Sequence, residues 1–479
     1  MNLNRAQKIF FGVVGVILII FLVLFLKFTK TAPEQKREVT LNIWGVLDNS
    51  SDLQPTIDDF QAYLSKFPEY AMTQVEVNYQ KWRKDEIEDM IVNKMAEGKG
   101  PDIFYMHNTW LPKHIGKIYP VPDYIMTAED YKKTFMKVAA DDFVRKDQIY
   151  AMPHYIDTLA LYYNIEHYQS ADLSSSRPSK TWTGIQDEVR TLTIKEPGKA
   201  NVIRRAGIAL GTADITNMQD ILYAMFLQYG SQICQDEDCS LINIQGGADP
   251  EGAIGLFTGF SSSEQPDFTW TEDLLTDFEL YNDVDAFAKG KVSMILGYSD
   301  LYDEIAVRTK DSRFDFSVAE FPQSDQSANK GVNIAYADYW APTVSRTSEN
   351  PDIAWEFVNF MTSREQLNRY HSLTNRPTSR EDLLDLHKTE AIFKVFANQA
   401  KYARSIRVYD KSATDTLLKS LISQINNKQI SVMSAVNLLQ EELQSEAQAR
   451  RALTSPDDVK TDQEGVCSCP VSWNVIKLD

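Results

Sequence analysis

The sequence predicts an α/β fold set behind a membrane-spanning segment. Three observations carry that prediction. Strands of alternating hydrophobicity and helices of 3.6-residue period succeed one another from residue 39 onward. An uncharged apolar run of 18 residues fills positions 9–26. Residues 147–164, DQIYAMPHYIDTLALYYN, hold two strand-like runs on either side of Pro153 and read as a strand crossing from one lobe to another.

The apolar run, IFFGVVGVILIIFLVLFL, is long enough to cross hydrocarbon if extended by Phe28. Lys27, Phe28, Thr29 and Lys30 follow it with no small-residue cleavage pattern, which favours an uncleaved signal anchor over residues 9–28 rather than a cleaved leader. No cysteine near its end offers a lipid attachment site. Arg5 and Lys8 precede the span, and Lys27, Lys30, Lys36 and Arg37 follow it, so counting positive charges does not orient it. Residues 29–38 form a charged linker.

Beyond residue 38 the chain has 43 basic and 65 acidic side chains, a formal charge of −22. A body this acidic is repelled by nucleic acid and by anionic lipid, which excludes nucleic-acid partners. The four cysteines form two close pairs. Cys234 and Cys239 enclose QDED and suit a small disulfide loop, with free thiols as the alternative. Cys467 and Cys469 stand in a polar C-terminal tail, residues 454–479, where a bridge over one residue is strained.

Val39, Leu41 and Ile43 share one face of a first strand, and Val75, Val77 and Tyr79 mark a second. Between them Ile57, Phe60 and Leu64 recur at helical spacing, as do Ile87, Met90, Ile91 and Met95 afterwards. Strand, helix, strand, helix implies a parallel sheet covered on both faces. Gly100, Pro101 and Asp102 turn into a third strand at 103–106. In such sheets ligands lie at the carboxyl ends of the strands, where Trp44, Asp48, Asn108 and Trp110 stand. Core packing and helix capping are the competing roles for these four.

Residues 181–260 read as mainly helical, with Trp182, Ile185, Val189 and Leu192 on one face and a second apolar helix at 220–229. A helix ends at Lys289 and Gly290 before a strand that runs to Leu296. Tyr339 and Trp340 are adjacent near a strand end, so at most one is expected in the core and the other is free for a cleft. Asn350 caps a helix whose first residue is Pro351. Helices at 414–425 and 431–448 close the fold.

The stretches LNIWGVLDN, GKGPDIFYMHNTW, KTWTGIQDE, DAFAKGKVSMILG and NPDIAWEFVNFMTS, together with the crossover at Pro153, occur in the order shown by another group of proteins. Over residues 39 to about 450 the chain resembles the extracellular (family 1) solute-binding proteins of ATP-binding-cassette (ABC) transporters, of the maltose and oligosaccharide type. The resemblance implies a periplasmic-binding-protein-like fold of type II, with interleaved crossings between two lobes and a ligand cleft. Lobe one is expected from residues 39–152 and 314–386, lobe two from 153–313 and 387–453. It also orients the anchor: residues 1–8 are cytoplasmic and the body is extracellular. Asp157, Tyr298 and Arg376 fall at positions where the resemblance implies ligand contacts, although Gly297 and Tyr298 stand where the family commonly has a Gly-x-Trp segment.

No zinc-protease, nucleophile-elbow, phosphate-loop or dinucleotide motif occurs, and the six histidines are scattered. A glycosidase needs only two carboxylates, and Asp102 and Asp157 are the better-placed pair, although Asp102 suits a turn-ordering role. Binding without catalysis is therefore the expected function, with no metal and no cofactor. Aromatic planes beside Asp, Asn and Arg suit the apolar faces and hydroxyls of a sugar. The expected protein is a monomeric, single-pass receptor that captures a carbohydrate for an ABC permease. The alternatives are a glycan sensor without transport and a tethered glycoside hydrolase.

Overall fold

The computed structural model describes residue 14 and residues 37–453, apart from 174, 326, 328–330 and 388–392. The expected anchor at 9–28, save residue 14, and the tail with Cys467 and Cys469 lie outside the described residues. Among the described residues no helix is long and apolar enough to cross a membrane.

Alternation builds the first sheet. Strand Arg37–Gly45 buries Val39, Leu41 and Ile43 and runs parallel to Thr73–Lys81, with Val39 opposite Val75. Its other neighbour, Ile103–His107, is also parallel, and Trp340–Ser345 and Ile118–Tyr119 complete five strands with antiparallel pairing. Helices Ser50–Leu64 and Pro351–Met361 pack on this sheet, where Phe60 meets Phe357 edge-on at 4.9 Å. Asn350 stands at the expected cap, but its side chain accepts from Arg37 Nη2 at 2.7 Å instead of from a helix N–H. Asp102 orders the turn before its strand: Oδ2 accepts from the Asn42 N–H at 3.0 Å and Oδ1 from the Ser348 hydroxyl at 2.6 Å.

The second sheet is smaller. Ala160–Asn164 lies between Met294–Gly297 and Phe316–Glu320, both antiparallel to it. The expected division returned the chain to lobe one at residue 314. Strand Phe316–Glu320 belongs with Ala160–Asn164 instead, and Val318 and Phe321 sit in the same core as Trp182, Ile185, Val189 and Leu192. The region expected to be mainly helical also contains a hairpin, Ile194–Glu196 with Lys199–Arg205. Pro197 and Gly198 make its turn, and Gly198 supplies a φ of +79° that suits glycine. The loop between Cys234 and Cys239 is closed by a disulfide.

Among the described residues two hydrophobic cores result; short strands carry the chain from one to the other at three places, and helix Phe393–Ala400 faces both, with Val395 and Phe396 in the second core and Ala397 and Ala400 in the first. Ile156 belongs to the first core and Leu159 to the second; Tyr336 to the second and Ala337 to the first; Ala403 to the first and Ile406 to the second. The strands at these changes, Asp157–Thr158, Ala335–Asp338 and Ala403–Arg404, bond side by side with Ala335–Asp338 in the middle. Gln399 ties them to the second lobe. It is fully buried, donates Nε2 to Thr158 Oγ1 at 2.9 Å and to the Leu159 carbonyl at 3.0 Å, and accepts from the Phe321 N–H at 2.7 Å.

Gln399→Ala leaves buried main-chain groups without partners, each worth about 1–3 kcal/mol. We expect equilibrium urea denaturation to show a loss of about 3 kcal/mol. A loss under about 1 kcal/mol would mean that this side chain does not hold the crossings together.

Candidate functional site

Between the two sheets, on the Asp157 edge of the crossover strands, lies a cavity of about 230 Å³. The first lobe contributes Lys84 and Arg376, the second Asn217, Tyr298 and Asp300, and the crossings Asp157 and Asp338. Asp157 and Asp338 are register partners on adjacent antiparallel strands, which places them together. The short strand-to-helix turn after Met294–Gly297 presents Tyr298, whose hydroxyl donates to Asp220 Oδ2 at 2.9 Å. Arg376 follows helix Arg364–Thr374, which ends in Asn375 at a left-handed φ of +57°, a conformation asparagine tolerates.

The cavity's charged groups are held in place by neighbours. Arg376 sits with its guanidinium carbon 4.9 Å from the Tyr155 ring centre and its Nε 3.9 Å from Asp48 Oδ1. Asp48 also accepts from the Tyr370 hydroxyl at 2.6 Å, while its Oδ2 is buried without a partner. Burial pushes the Asp48 carboxyl above its usual range against the pull of Arg376. Asp157 accepts from the Ser299 hydroxyl at 2.6 Å and from the Ser299 and Thr158 N–H groups. Burial first, and the Asp300 charge second, push its carboxyl up to about 7. Asp338 goes the other way: burial opposes its ionisation, but His107, with Nε2 3.1 Å from Oδ1, together with the charges of Lys84 and Lys411, holds it below the carboxylate range. Deeper in, Lys411 Nζ lies 3.0 Å from Asp220 and 2.7 Å from Asp415.

Of the nine residues singled out by sequence, Asp157, Tyr298 and Arg376 line this cavity together, and Asp48 stands directly behind Arg376. Asn108 lines a different compartment, at the Ala403–Arg404 edge of the crossings. Trp110 and Trp340 do not face the cavity: they meet edge-on at 4.9 Å, and Trp340 meets His107 at 5.2 Å, in a buried aromatic cluster. Tyr339 is core as well, donating to Asp142 Oδ2 at 2.6 Å. Both members of the Tyr339–Trp340 pair are therefore buried, because the chain passes there from one sheet to the next and is covered on each side. Trp44 packs on Trp82 at 5.1 Å, outside the cavity lining. Sequence reasoning missed Tyr155, Lys84 and Asp338. Tyr155 is two residues before Asp157 in the crossover and Asp338 is beside Tyr339, so proximity to those segments was the available signal.

Asp102 is outside this cavity, so the carboxylate pair considered for hydrolysis is not assembled across it. Among the described residues no group of three or more His, Cys, Asp or Glu is placed to hold a metal.

Residues 57–397 match the model of the bacterial extracellular solute-binding proteins. The chain belongs to that family. It is 23% identical over 318 residues to a maltotriose-binding protein of Pyrococcus abyssi, a match covering 66% of this chain and 62% of that relative's length. The fold is that of solved members. The sugar-binding protein MalE from Xanthomonas citri superposes with a TM-score of 0.69 at 17% identity, over 86% of this chain and 98% of that one. An ABC substrate-binding protein from Listeria monocytogenes, in complex with cycloalternan, gives 0.66 at 16%, over 85% and 99%.

The raised Asp157 carboxyl has a stability consequence. The unfolded side chain titrates near 3.8 and the folded one near about 7, so the folded state binds the extra proton between those values. Its contribution is fully present below pH 3.8 and is lost as pH rises through about 7. We expect the stability of the native chain relative to Asp157→Asn, which keeps an acceptor for Ser299, to fall by up to about 4 kcal/mol between acid and mildly alkaline pH. Urea titrations of both proteins across that range check this; parallel curves would contradict it.

Proposed function

We propose that the protein is a membrane-anchored extracellular receptor that captures a sugar or oligosaccharide in the cleft between its lobes and delivers it to an ABC importer. The observation that carries this reading is the set of groups lining one cavity from both lobes. Carboxylates at Asp157, Asp300 and Asp338 accept from ligand hydroxyls, and Arg376 donates to hydroxyl or ring oxygens. The rings of Tyr155 and Tyr298 cover apolar C–H faces. No nucleophile–base pair is needed for such capture, and binding without turnover is the activity assigned.

Family membership supports export of the body and a permease partner. The uncharged run at 9–26 supports tethering through residues 9–28, with lobes facing outward. Closure is a hinge motion about the three short crossings, which brings Arg376 and Tyr298 onto one molecule. A cavity near 230 Å³ lies below the roughly 300–1,000 Å³ of ordinary small-molecule sites, so a ligand longer than a single sugar unit requires the lobes to part.

A thermal-shift screen of the full-length chain in detergent, against mono- and oligosaccharides, tests the assignment. A ligand held at 100 times its Kd stabilises the folded form by about 2.7 kcal/mol. We expect a saturable rise with one sugar series, weakened at least about tenfold in apparent affinity by Arg376→Ala. Shifts with amines or peptides and none with sugars would overturn the carbohydrate assignment.

A further inference from the structure

We propose that the compartment at the Ala403–Arg404 edge of the crossover strands binds the acidic group of a carboxylate-bearing sugar, a hexuronate unit. The inference rests on the receptor reading for the sugar scaffold; the acidic group is this compartment's own requirement.

The compartment is a cavity of about 550 Å³. Lys137, Arg145, Arg404 and Arg407 line it, although the body as a whole is strongly acidic. Two of these cations are paired: Lys137 with Asp141, and Arg404 with the same carboxylate at 3.9 Å. The other two are not. Arg145 is only 8% exposed, and its Nη1 donates to the carbonyls of Asp141 and Val144 at 2.8 Å. Arg407 Nη1 reaches only the Asp236 carbonyl, at 3.4 Å. Among the described residues no carboxylate lies within ion-pair distance of either guanidinium. Burial, and then the charge of Arg407, lower the Arg145 pKa against the smaller opposing pull of Asp142, Glu237 and Asp141, which places the two cations close enough to repel.

The carboxylates nearby do not cancel this charge. Asp142 is saturated by the hydroxyls of Ser405 and Tyr339 and by Asn108 Nδ2, and burial pushes its carboxyl up. Asp141 serves Lys137 and Arg404, and Glu237 is exposed at the rim. A second, independent feature points to a ligand: Asn108 lines the compartment and keeps Oδ1 buried without a partner. That oxygen accepts a hydroxyl proton, while paired guanidiniums match a carboxylate. An anion bearing hydroxyls satisfies both.

Isothermal titration of the full-length chain with di- and trigalacturonate, against neutral galactose oligomers of equal length, tests the inference. We expect the acidic series to bind at least about tenfold tighter, with a preference that shrinks as salt rises. Arg407→Gln, a half-buried position outside the first cavity, should abolish the preference and leave neutral binding unchanged; Arg407→Lys should keep part of it. Neutral sugars bound as tightly as acidic ones, or a preference unaffected by Arg407→Gln, would overturn the inference and leave the receptor reading intact. Arg407-dependent binding of citrate with no sugar bound would support the anion site and overturn the carbohydrate reading. No binding of any acidic probe overturns the inference.

Discussion

Three short strands have to join two hydrophobic cores, each strand placing residues at the boundary between them, and the rest of the structure follows from that constraint. A two-residue strand cannot hold its own geometry, so Asp157–Thr158, Ala335–Asp338 and Ala403–Arg404 bond to one another, and buried Gln399 reaches across to the second lobe. Because Asp157 and Asp338 are register partners, the pairing that makes the hinge also brings two carboxylates to the floor of the cleft. The joint between the lobes and the floor of the candidate site are the same few residues.

Those two carboxylates acquire opposite characters from their neighbours. Asp157 is enclosed, faces Asp300 and is pushed toward neutrality in spite of the Ser299 donors. Asp338 has His107 beside it and stays ionised. A cleft floor holding one readily protonated acid and one fixed anion offers a hydroxylated ligand both a donor and an acceptor at neighbouring positions. At the opposite edge of the same three strands, Lys137, Arg145, Arg404 and Arg407 line a second compartment, where the guanidiniums of Arg145 and Arg407 have no ion-pair partner among the described residues. Net charge alone would assign this protein cationic ligands; the basic lining of that second compartment argues otherwise.

The first lobe was the most legible part of the sequence. Val39, Leu41 and Ile43 bury one face as their period of two requires, and Trp182, Ile185, Val189 and Leu192 bury one helical face as theirs does. The strand Phe316–Glu320 was assigned to the wrong lobe because its partner, Ala160–Asn164, is far away in sequence and nothing in five residues specifies which sheet they join. Asp157, Tyr298 and Arg376 were found through the family pattern rather than through periodicity. The tryptophans misled because an aromatic ring past a strand end is equally suited to core and cleft; Trp110 and Trp340 have each other and His107 for company. Arg145 and Arg407 left no sequence signal, since a guanidinium without a counter-ion is a property of three-dimensional surroundings.

The central claim is that one molecule is gripped by both lobes across the crossover strands. The most direct test is a crystal structure of the chain with the sugar that gives the largest thermal shift. The account predicts ligand density between Arg376 of the first lobe and Tyr298 of the second, with hydroxyls on Asp157 or Asp338. Ligand bound to one lobe alone, away from the crossover strands, would contradict it.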